Sequence, residues 1–402
     1  MKPAPASAAG FSLVELLISL VIGTIALLAM VQTLGLQDAN RRAVVGGNDT
    51  AQAGAYSLYL FDDLARSASS NVQQGGMIET ITTVSAGTPS SYGCALGGQL
   101  PSGQSLGALA LPAPFDSLPV GGTMRFAPVL IQQVAGSDSH RIALLRGSGS
   151  GLGTTIKVDQ ESAPGLVEVP TTLSLRAQEW VIGVESTGLF GRPCTVAQIE
   201  SAPARTMANP EGSVRVTLAS GATLGWTLDE RPGTLSSLGM APQFDLYAVD
   251  DGTRRLVGLD LFQGTMTPRV IADNVIVLRA LYGVDDGGAG GSVDPDGVVD
   301  RWVTPTGDFA YESLTAGTPQ AAERMRRIAA LRIGLVVRQV IRQGQEPAAT
   351  PTATLFGSVP GATAEDYTVS DTLHRARAIE YTFNLRSAGM AGSALPLMKA
   401  MR

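Results

Sequence analysis

An apolar run near the amino terminus constrains the fold of this 402-residue chain more than any other feature. The 22 residues from Leu16 to Gln37 contain no charged side chain, and the stretch Leu16–Val31 is polar only at Ser19 and Thr24. A helix of that length extends about 33 Å, which is enough to cross a hydrocarbon core of about 30 Å. The run therefore predicts a membrane-spanning helix.

A secretory signal peptide is the alternative interpretation of this run, with Lys2 as its positive residue. The apolar part of a signal peptide usually spans ~7–15 residues and ends before an A-x-A cleavage site. This run is longer, and it passes into Asp38, Asn40 and Arg41 without such a site. The pattern favours a helix that is retained in the membrane.

Glu15 is the charged residue at the start of the run, where an ionised carboxylate is costly unless it is paired or near the interface. If the chain is cut after Gly10, a new α-amino group appears on Phe11. Glu15 then lies four residues on, one helical turn away, at the positive end of the helix dipole. Its carboxylate could pair with the amine of its own chain or of a neighbouring copy. A glutamate that reaches the lipid headgroups is the alternative.

The residues Gly10-Phe11-Ser12-Leu13-Val14-Glu15 and the apolar run behind them resemble the type IV prepilin signature. That signature is a glycine followed by F-[ST]-L-x-E and an apolar helix. The resemblance implies that a prepilin peptidase cuts between Gly10 and Phe11 and methylates the new amine of Phe11. It also implies that Glu15 registers the subunit in a fibre by pairing with the amino terminus of a neighbour. Lys2 is the single positive side chain of the leader, fewer than pilin leaders usually carry.

The carboxy-terminal part of the chain resembles PilW-type minor pilins. A strand over Asp273–Asp285 ends in Tyr-Gly-Val-Asp, and an Asp/Gly-rich loop leads from it to Val299-Asp300-Arg301-Trp302. The strands Arg332–Arg338 and Arg377–Arg386 also fit that family. The length favours a minor pilin with an enlarged head, because major pilins are much shorter. Residues from about 90 to 240 carry no such resemblance.

The fold class that follows is α+β and type IV pilin-like, with one long amino-terminal helix carrying a large, mainly antiparallel β head. We divide the chain into a leader at 1–10, a transmembrane and fibre-core helix at 11–37, an amphipathic continuation at 38–70, and a β-rich head at 71–402.

Two features of the continuation are predicted from spacing. Tyr56, Leu60 and Leu64 recur every four residues with Tyr59 beside them, so this stripe is expected to pack on the head. Gly46-Gly47 is expected to interrupt the helix as a bend or a loosened turn.

Alternating apolar and polar residues predict the strands of the head. A hairpin is expected over Phe244–Leu261, with its turn at Asp251-Gly252. The segment Ile328–Val340 reads as a strand, although Ala329 and Ala330 would also allow it to open as a helix.

Five aspartates crowd the segment 285–300, and Asp-x-Asp-Gly is a possible start for a calcium loop. We predict Asp294, Asp296 and Asp300 as candidate calcium ligands, and no other cofactor. Read as an EF-hand from Asp294, the loop has Val299 at the sixth position instead of glycine. A solvated turn is therefore the alternative.

Cys94 and Cys194 are the two cysteines of the chain. In an oxidising compartment they are expected to pair, and closing a loop of about 100 residues would stabilise the fold by up to ~4–5 kcal/mol. Two separate buried thiols are the alternative.

Composition excludes several classes of function. With 29 basic against 35 acidic residues and a net charge of −6, nucleic acid is not expected as a partner. Two histidines and two cysteines rule out most zinc sites. His140 and His374 lie in no catalytic motif, and no phosphate-binding loop is present. The chain is expected not to be an enzyme.

The function implied by the resemblance is that of a minor pilin. It would assemble with other minor pilins and the major pilin to prime pilus assembly near the tip, where a tip adhesin could join it. Its head would be periplasmic while the helix sits in the inner membrane, and extracellular in the pilus. The alternatives are a pseudopilin of type II secretion and a calcium-dependent, ligand-binding adhesin head on a pilin anchor.

Overall fold

The computed structural model describes residues 12–67, 93–101, 103–118, 123–148, 155–173, 175–185, 194–203, 213–219, 222–224, 233–287, 297–340, 352–368 and 374–385.

One long helix, α1, spans Leu13–Ser67 and is 55 residues long, about 82 Å at 1.5 Å per residue. Its first turn is closed by Ser12, whose carbonyl accepts hydrogen bonds from the amides of Glu15 at 3.0 Å and Leu16 at 3.2 Å. The predicted interruption at Gly46-Gly47 is wrong, because α1 runs through both glycines. A glycine lowers helix propensity by about 1 kcal/mol but removes no backbone hydrogen bond, so helical neighbours can carry it.

The rest of the described chain is mostly strand. Two short helices, α2 (Tyr311–Leu314) and α3 (Pro319–Arg326), follow one another before a long strand. The strands are β1 (Leu96–Gly98), β2 (Val129–Gln133), β3 (His140–Arg146), β4 (Thr155–Val158), β5 (Gln160–Ala163), β6 (Leu166–Val169), β7 (Trp180–Glu185), β8 (Cys194–Ser201), β9 (Val214–Leu218), β10 (Gly233–Gly239), β11 (Gln243–Asp250), β12 (Arg255–Asp260), β13 (Arg269–Asp273), β14 (Val275–Val284), β15 (Arg301–Val303), β16 (Ile328–Val340), β17 (Thr352–Leu355), β18 (Glu365–Thr368) and β19 (His374–Asn384).

Two antiparallel sheets form what we call the body, together with α1. One has the strand order β13-β12-β11-β3-β2 and the other the order β15-β14-β16-β19. The predicted hairpin is confirmed as β11 and β12, where the carboxylate of Asp250 accepts a hydrogen bond from the amide of Gly252 at 3.0 Å. Residues 328–340 are strand throughout, and the helical turn lies just before them, in α3. The predicted α+β fold with a mainly antiparallel head is confirmed.

The helix α1 meets the body through Gly54, Ser57 and Phe61, which are all buried. Phe61 packs edge-on against Tyr247 at 4.8 Å between ring centroids and lies 6.3 Å from Phe383. A Cβ placed on Gly54 would clash with Cδ1 of Ile379 in β19. The small residues therefore let the helix backbone approach the sheet closely.

The predicted docking stripe of α1 is wrong at its aromatic residues. Tyr56 is 55% exposed and Tyr59 is 72% exposed. Both lie on the face of α1 opposite to Phe61, as the 100° step of a helix requires. The side chains of Leu60 and Leu64 lie outside the described ones.

The third sheet closes on itself. Its order is β4-β10-β7-β8-β9-β6-β5, with β1 added beside β8. Because only Asp159 separates β4 from β5, the two ends of this sheet meet, and the amide of Asp159 continues the ladder to the carbonyl of Glu168 at 2.9 Å. We call this closed unit the inserted barrel (β4–β10). Its interior holds valines, leucines and isoleucines such as Val167, Val216 and Leu235.

Candidate assembly and processing site

The amino-terminal part of α1 presents an apolar surface on all sides. Every side chain of Leu13–Gly35 is exposed, and an 18-residue window within this segment has a mean hydropathy of 2.5. In the part of the chain that the structure describes, this is the one helix long and apolar enough to cross a membrane. An apolar surface of this size requires lipid or other helices as its surroundings.

The hydroxyl groups of this segment are satisfied by the helix itself. Ser19 donates to the carbonyl of Leu16 at 2.9 Å, and Thr24 donates to that of Val21 at 2.8 Å. Thr33 bonds the carbonyl of Ala29 at 2.9 Å. Such bonds reduce the cost of placing a hydroxyl in hydrocarbon. Glu15 is the one charged side chain from Leu13 to Gly35.

Glu15 lies in the first turn of α1 with its side chain exposed. Among the described residues, no hydrogen bond or ion pair holds its carboxylate. The amide groups of the first turn face the same end, so a positive partner there would add to the field of the helix terminus. Gly10 and Phe11 lie outside the described residues. Cleavage between them, methylation of Phe11 and pairing of Glu15 remain predictions.

The two cysteines are neighbours in space. Cys94 and Cys194 are joined as a disulfide with their Cα atoms 5.8 Å apart, and both are buried. Cys94 comes just before β1 and Cys194 is the first residue of β8. The two strands are parallel, with Leu96 paired to Cys194.

The aspartates of the 285–300 segment close a loop through backbone amides. Asp285 is buried and accepts from the amide of Gly287 at 3.0 Å and from that of Gly297 at 2.5 Å. Asp300 accepts from the amide of Asp286 at 2.7 Å. Their carboxylates thus hold the two ends of the loop together.

The other two candidate calcium ligands, Asp294 and Asp296, lie outside the described residues. Within the described ranges, no group of three metal-ligating side chains is present. The calcium site of Asp294, Asp296 and Asp300 remains a prediction. Sequence reasoning missed the clamping role of Asp285, because aspartate and glycine serve a turn and a metal loop equally well.

His140 is a buried structural residue. Its Nδ1 accepts the amide of Ala280 at 3.1 Å, and Nη1 of Arg279 lies 2.6 Å from its Nε2. Burial, and then the charge of Arg279, lower the pKa of His140 to about 3, so the ring is neutral at physiological pH. His374 begins β19, and its side chain lies outside the described ones.

A second buried polar cluster has no signal in the sequence. Asp245 and Asp260 face each other across the β11–β12 ladder, and both are buried. Burial, and then the charge of Asp260, raise the pKa of Asp245 to about 7. A guanidinium nitrogen of Arg269 lies 3.4 Å from Asp245 and opposes that rise. The regular alternation of this hairpin predicts strands but not which aspartates become buried.

Comparison with known families gives two matches. Residues 247–387 match the family model described as type IV pilus-assembly protein W. Residues 6–31 match the prokaryotic N-terminal methylation motif. No curated protein and no solved structure matches the chain.

The first match runs from within β11 to the end of β19, and the second contains Gly10, Phe11 and Glu15. They confirm the resemblance to prepilins and to PilW-type proteins and support a minor pilin of the type IV pilus. Residues 32–246 lie outside both matches.

Proposed function

We propose that this chain, with a prepilin methylation motif at one end and a PilW region at the other, works by assembly. It joins other minor pilins and the major pilin in a complex that primes pilus assembly and sits near the pilus tip. The role is structural and non-enzymatic.

One observation carries this proposal. The helix that contains the methylation motif projects an exposed, mostly apolar segment of 23 residues, and Glu15 is the single charge in it. An ionised carboxylate in a membrane-spanning helix is costly unless it is paired or lies near the interface. Retaining it is understandable when the helix leaves the membrane and the carboxylate meets the amine of a neighbouring subunit.

Processing is the first step of the proposed pathway. A prepilin peptidase removes residues 1–10 and methylates the amine of Phe11, and α1 then holds the subunit in the inner membrane with the head in the periplasm. Extraction into the fibre moves the same helix into the pilus core and brings the head outside the cell. The Cys94–Cys194 disulfide supports this topology, because disulfides persist in the oxidising periplasm.

Mass spectrometry of the mature amino terminus tests the processing step. The chain, expressed in a host that has the peptidase, should begin with N-methylated Phe11. Gly10→Val should keep its leader, whereas the matched control Ala9→Val should still be cut. A mature chain that begins at Met1, or near Leu36, would contradict cleavage between Gly10 and Phe11.

Deletion of the gene, with complementation, tests the assembly step. Loss of surface pili with normal protein secretion, together with the chain in sheared pili, is the expected result. Normal piliation with a block in secretion would instead identify a type II secretion pseudopilin. Calorimetry with calcium, comparing wild type with Asp294→Asn/Asp296→Asn, tests the adhesin alternative, which requires heats that the variant loses.

A further inference from the structure

Residues 147–242 interrupt a strand pair of the body. β3 ends at Arg146 and β11 begins at Gln243, and these two residues face each other in the antiparallel β3–β11 ladder. The chain therefore leaves the body sheet and returns to it at the same place. The PilW match begins at residue 247, directly after the return.

The two crossing segments form a tight neck. The amide of Ser148 donates to the carbonyl of Leu238, and the amide of Ala241 donates to Oγ of Ser148, both at 2.8 Å. Gly239 has φ +86, and a Cβ there would clash with the carbonyl of Ser148. Only glycine fits such a close crossing of two backbones.

Between the two halves of the neck lies the inserted barrel. Closure of its sheet pairs the strands with one another, so it borrows no strand from the two body sheets. Its interior residues form an apolar cluster separate from that of the body. The barrel thus has a fold and a core of its own.

One wall of the barrel nevertheless depends on the body. Ile182, Val184, Val196 and Leu238 point outward from β7, β8 and β10, yet they are buried. They belong to the apolar cluster of the body, together with Leu96 of β1. A barrel that swung away on its neck would expose this wall to water.

The Cys94–Cys194 disulfide links the two sides of this contact between the barrel and the body. On one side, Cys94 is held to the segment that leads into β2, because its carbonyl accepts the amide of Phe126 at 3.0 Å. On the other side, Cys194 starts a barrel strand. The noncovalent β1–β8 pairing beside it has only three residue pairs.

We infer that residues 147–242 are a barrel unit inserted into the body, and that the Cys94–Cys194 disulfide locks the apolar wall of this unit against the body. The inference does not depend on the pilus role. Opening the lock takes two electrons and two protons from a dithiol reductant, which is itself oxidised to a disulfide and leaves two thiols on the chain. Both cysteines are buried, so a dithiol reaches the disulfide only when the barrel separates transiently from the body.

Amide hydrogen exchange of the full chain in detergent micelles tests this inference. In the Cys94→Ala/Cys194→Ala variant, peptides from β1, β7 and β10 should exchange at least ten-fold faster than in wild type. Peptides from β14 and β16, deep in the body, should stay within two-fold. Equal acceleration in β14 and β16, or no acceleration in β1 and β7, would overturn the lock.

A matched control destabilises the interior of the barrel and leaves the residues of its outward-facing apolar wall unchanged. Val216→Ala should speed exchange in β6 and β9, inside the barrel, and leave β1 unchanged. If the double variant does not fold, hydrogen exchange of wild type treated with a dithiol gives the same comparison. Loss of protection in β14 and β16 of the reduced protein would also contradict the inference that residues 147–242 form a separate unit. Free thiols at Cys94 and Cys194 in untreated wild type would contradict the lock directly.

Discussion

At the scale of single residues, Glu15 is the single carboxylate on the exposed apolar segment of α1. We predict that Glu15→Leu inserts into the membrane as well as wild type, because it removes a charge from the apolar segment. The same variant should lose most of its incorporation into pili, since the amine of a neighbour then has no partner. Quantitative detection of the chain in membranes and in sheared pili measures both effects.

Thr24→Leu is the matched control for Glu15→Leu. The hydroxyl of Thr24 donates its hydrogen bond within α1, so its loss should leave the amounts of the chain in membranes and in sheared pili unchanged. Normal incorporation of Glu15→Leu into pili would contradict a pairing role for the carboxylate.

Asp245 gives a residue-scale prediction for pH. Its pKa is about 7 in the fold and about 3.9 in the unfolded chain, so the folded protein binds the proton more tightly. Its contribution to stability is complete below pH ~4 and is lost as the pH rises through about 7. The free energy of unfolding of wild type, relative to Asp245→Asn, should therefore fall between pH 4 and 7.

Denaturant titrations at several pH values measure this change in the free energy of unfolding. For Asp250→Asn, the difference from wild type should change with pH in the opposite direction. The hydroxyl of Thr253 lowers the pKa of Asp250, so its contribution is present at neutral pH and is lost as the pH falls. Because the Asp250 side chain is only partly buried, the effect should be small. A pH-independent difference between wild type and Asp245→Asn would refute the raised pKa.

At the scale of elements, the seat of α1 on the body depends on Phe61. We predict that Phe61→Ala destabilises the head by about 3–5 kcal/mol, because a fully buried ring is removed. Tyr59→Ala, two residues away on the exposed face, should stay within about 0.5 kcal/mol. Urea unfolding of both variants in the same detergent measures the contrast, and equal losses would contradict this seat.

The sequence predicts element types well where one pattern dominates. The uncharged run predicts α1, and alternation around Asp251-Gly252 predicts the β11–β12 hairpin. The sequence does not predict which face of α1 packs on the body, because Tyr56 and Tyr59 give a strong apolar signal and Gly54 gives none. Glycine contributes by allowing close approach, which becomes visible only once the position of Ile379 is known.

At the scale of the whole molecule, the exposed apolar surface of the described residues is concentrated in the segment 13–35. Outside residues 13–35, the large exposed apolar side chains of the described part are few: Tyr56, Tyr59, Leu173, Met240, Val270, Val298 and Tyr381. We predict that a chain beginning at residue 36 stays soluble without detergent, whereas the full chain does not. Gel filtration in detergent-free buffer tests this, and aggregation of the truncated head would reveal a further apolar surface.

The inserted barrel marks the limit of prediction at this scale. Each of its strands is short, and closure depends on the change of pairing partner at Asp159, between β4 and β5, and on pairing between β10 and β4, which are distant in sequence. No local pattern encodes such a pairing. The region between about 90 and 240, which resembles no family, contains this unit.

The unbroken course of α1 also makes it a mechanical lever. Phe61 fixes one end to the body, while Leu13 lies 48 residues away, about 72 Å along the axis. A tilt of about 10° at the seat would displace the far tip by roughly 12 Å, more than the spacing of two packed helices. Small residues such as Gly54, where α1 contacts the body, therefore determine the position of the distant Glu15 carboxylate relative to the head.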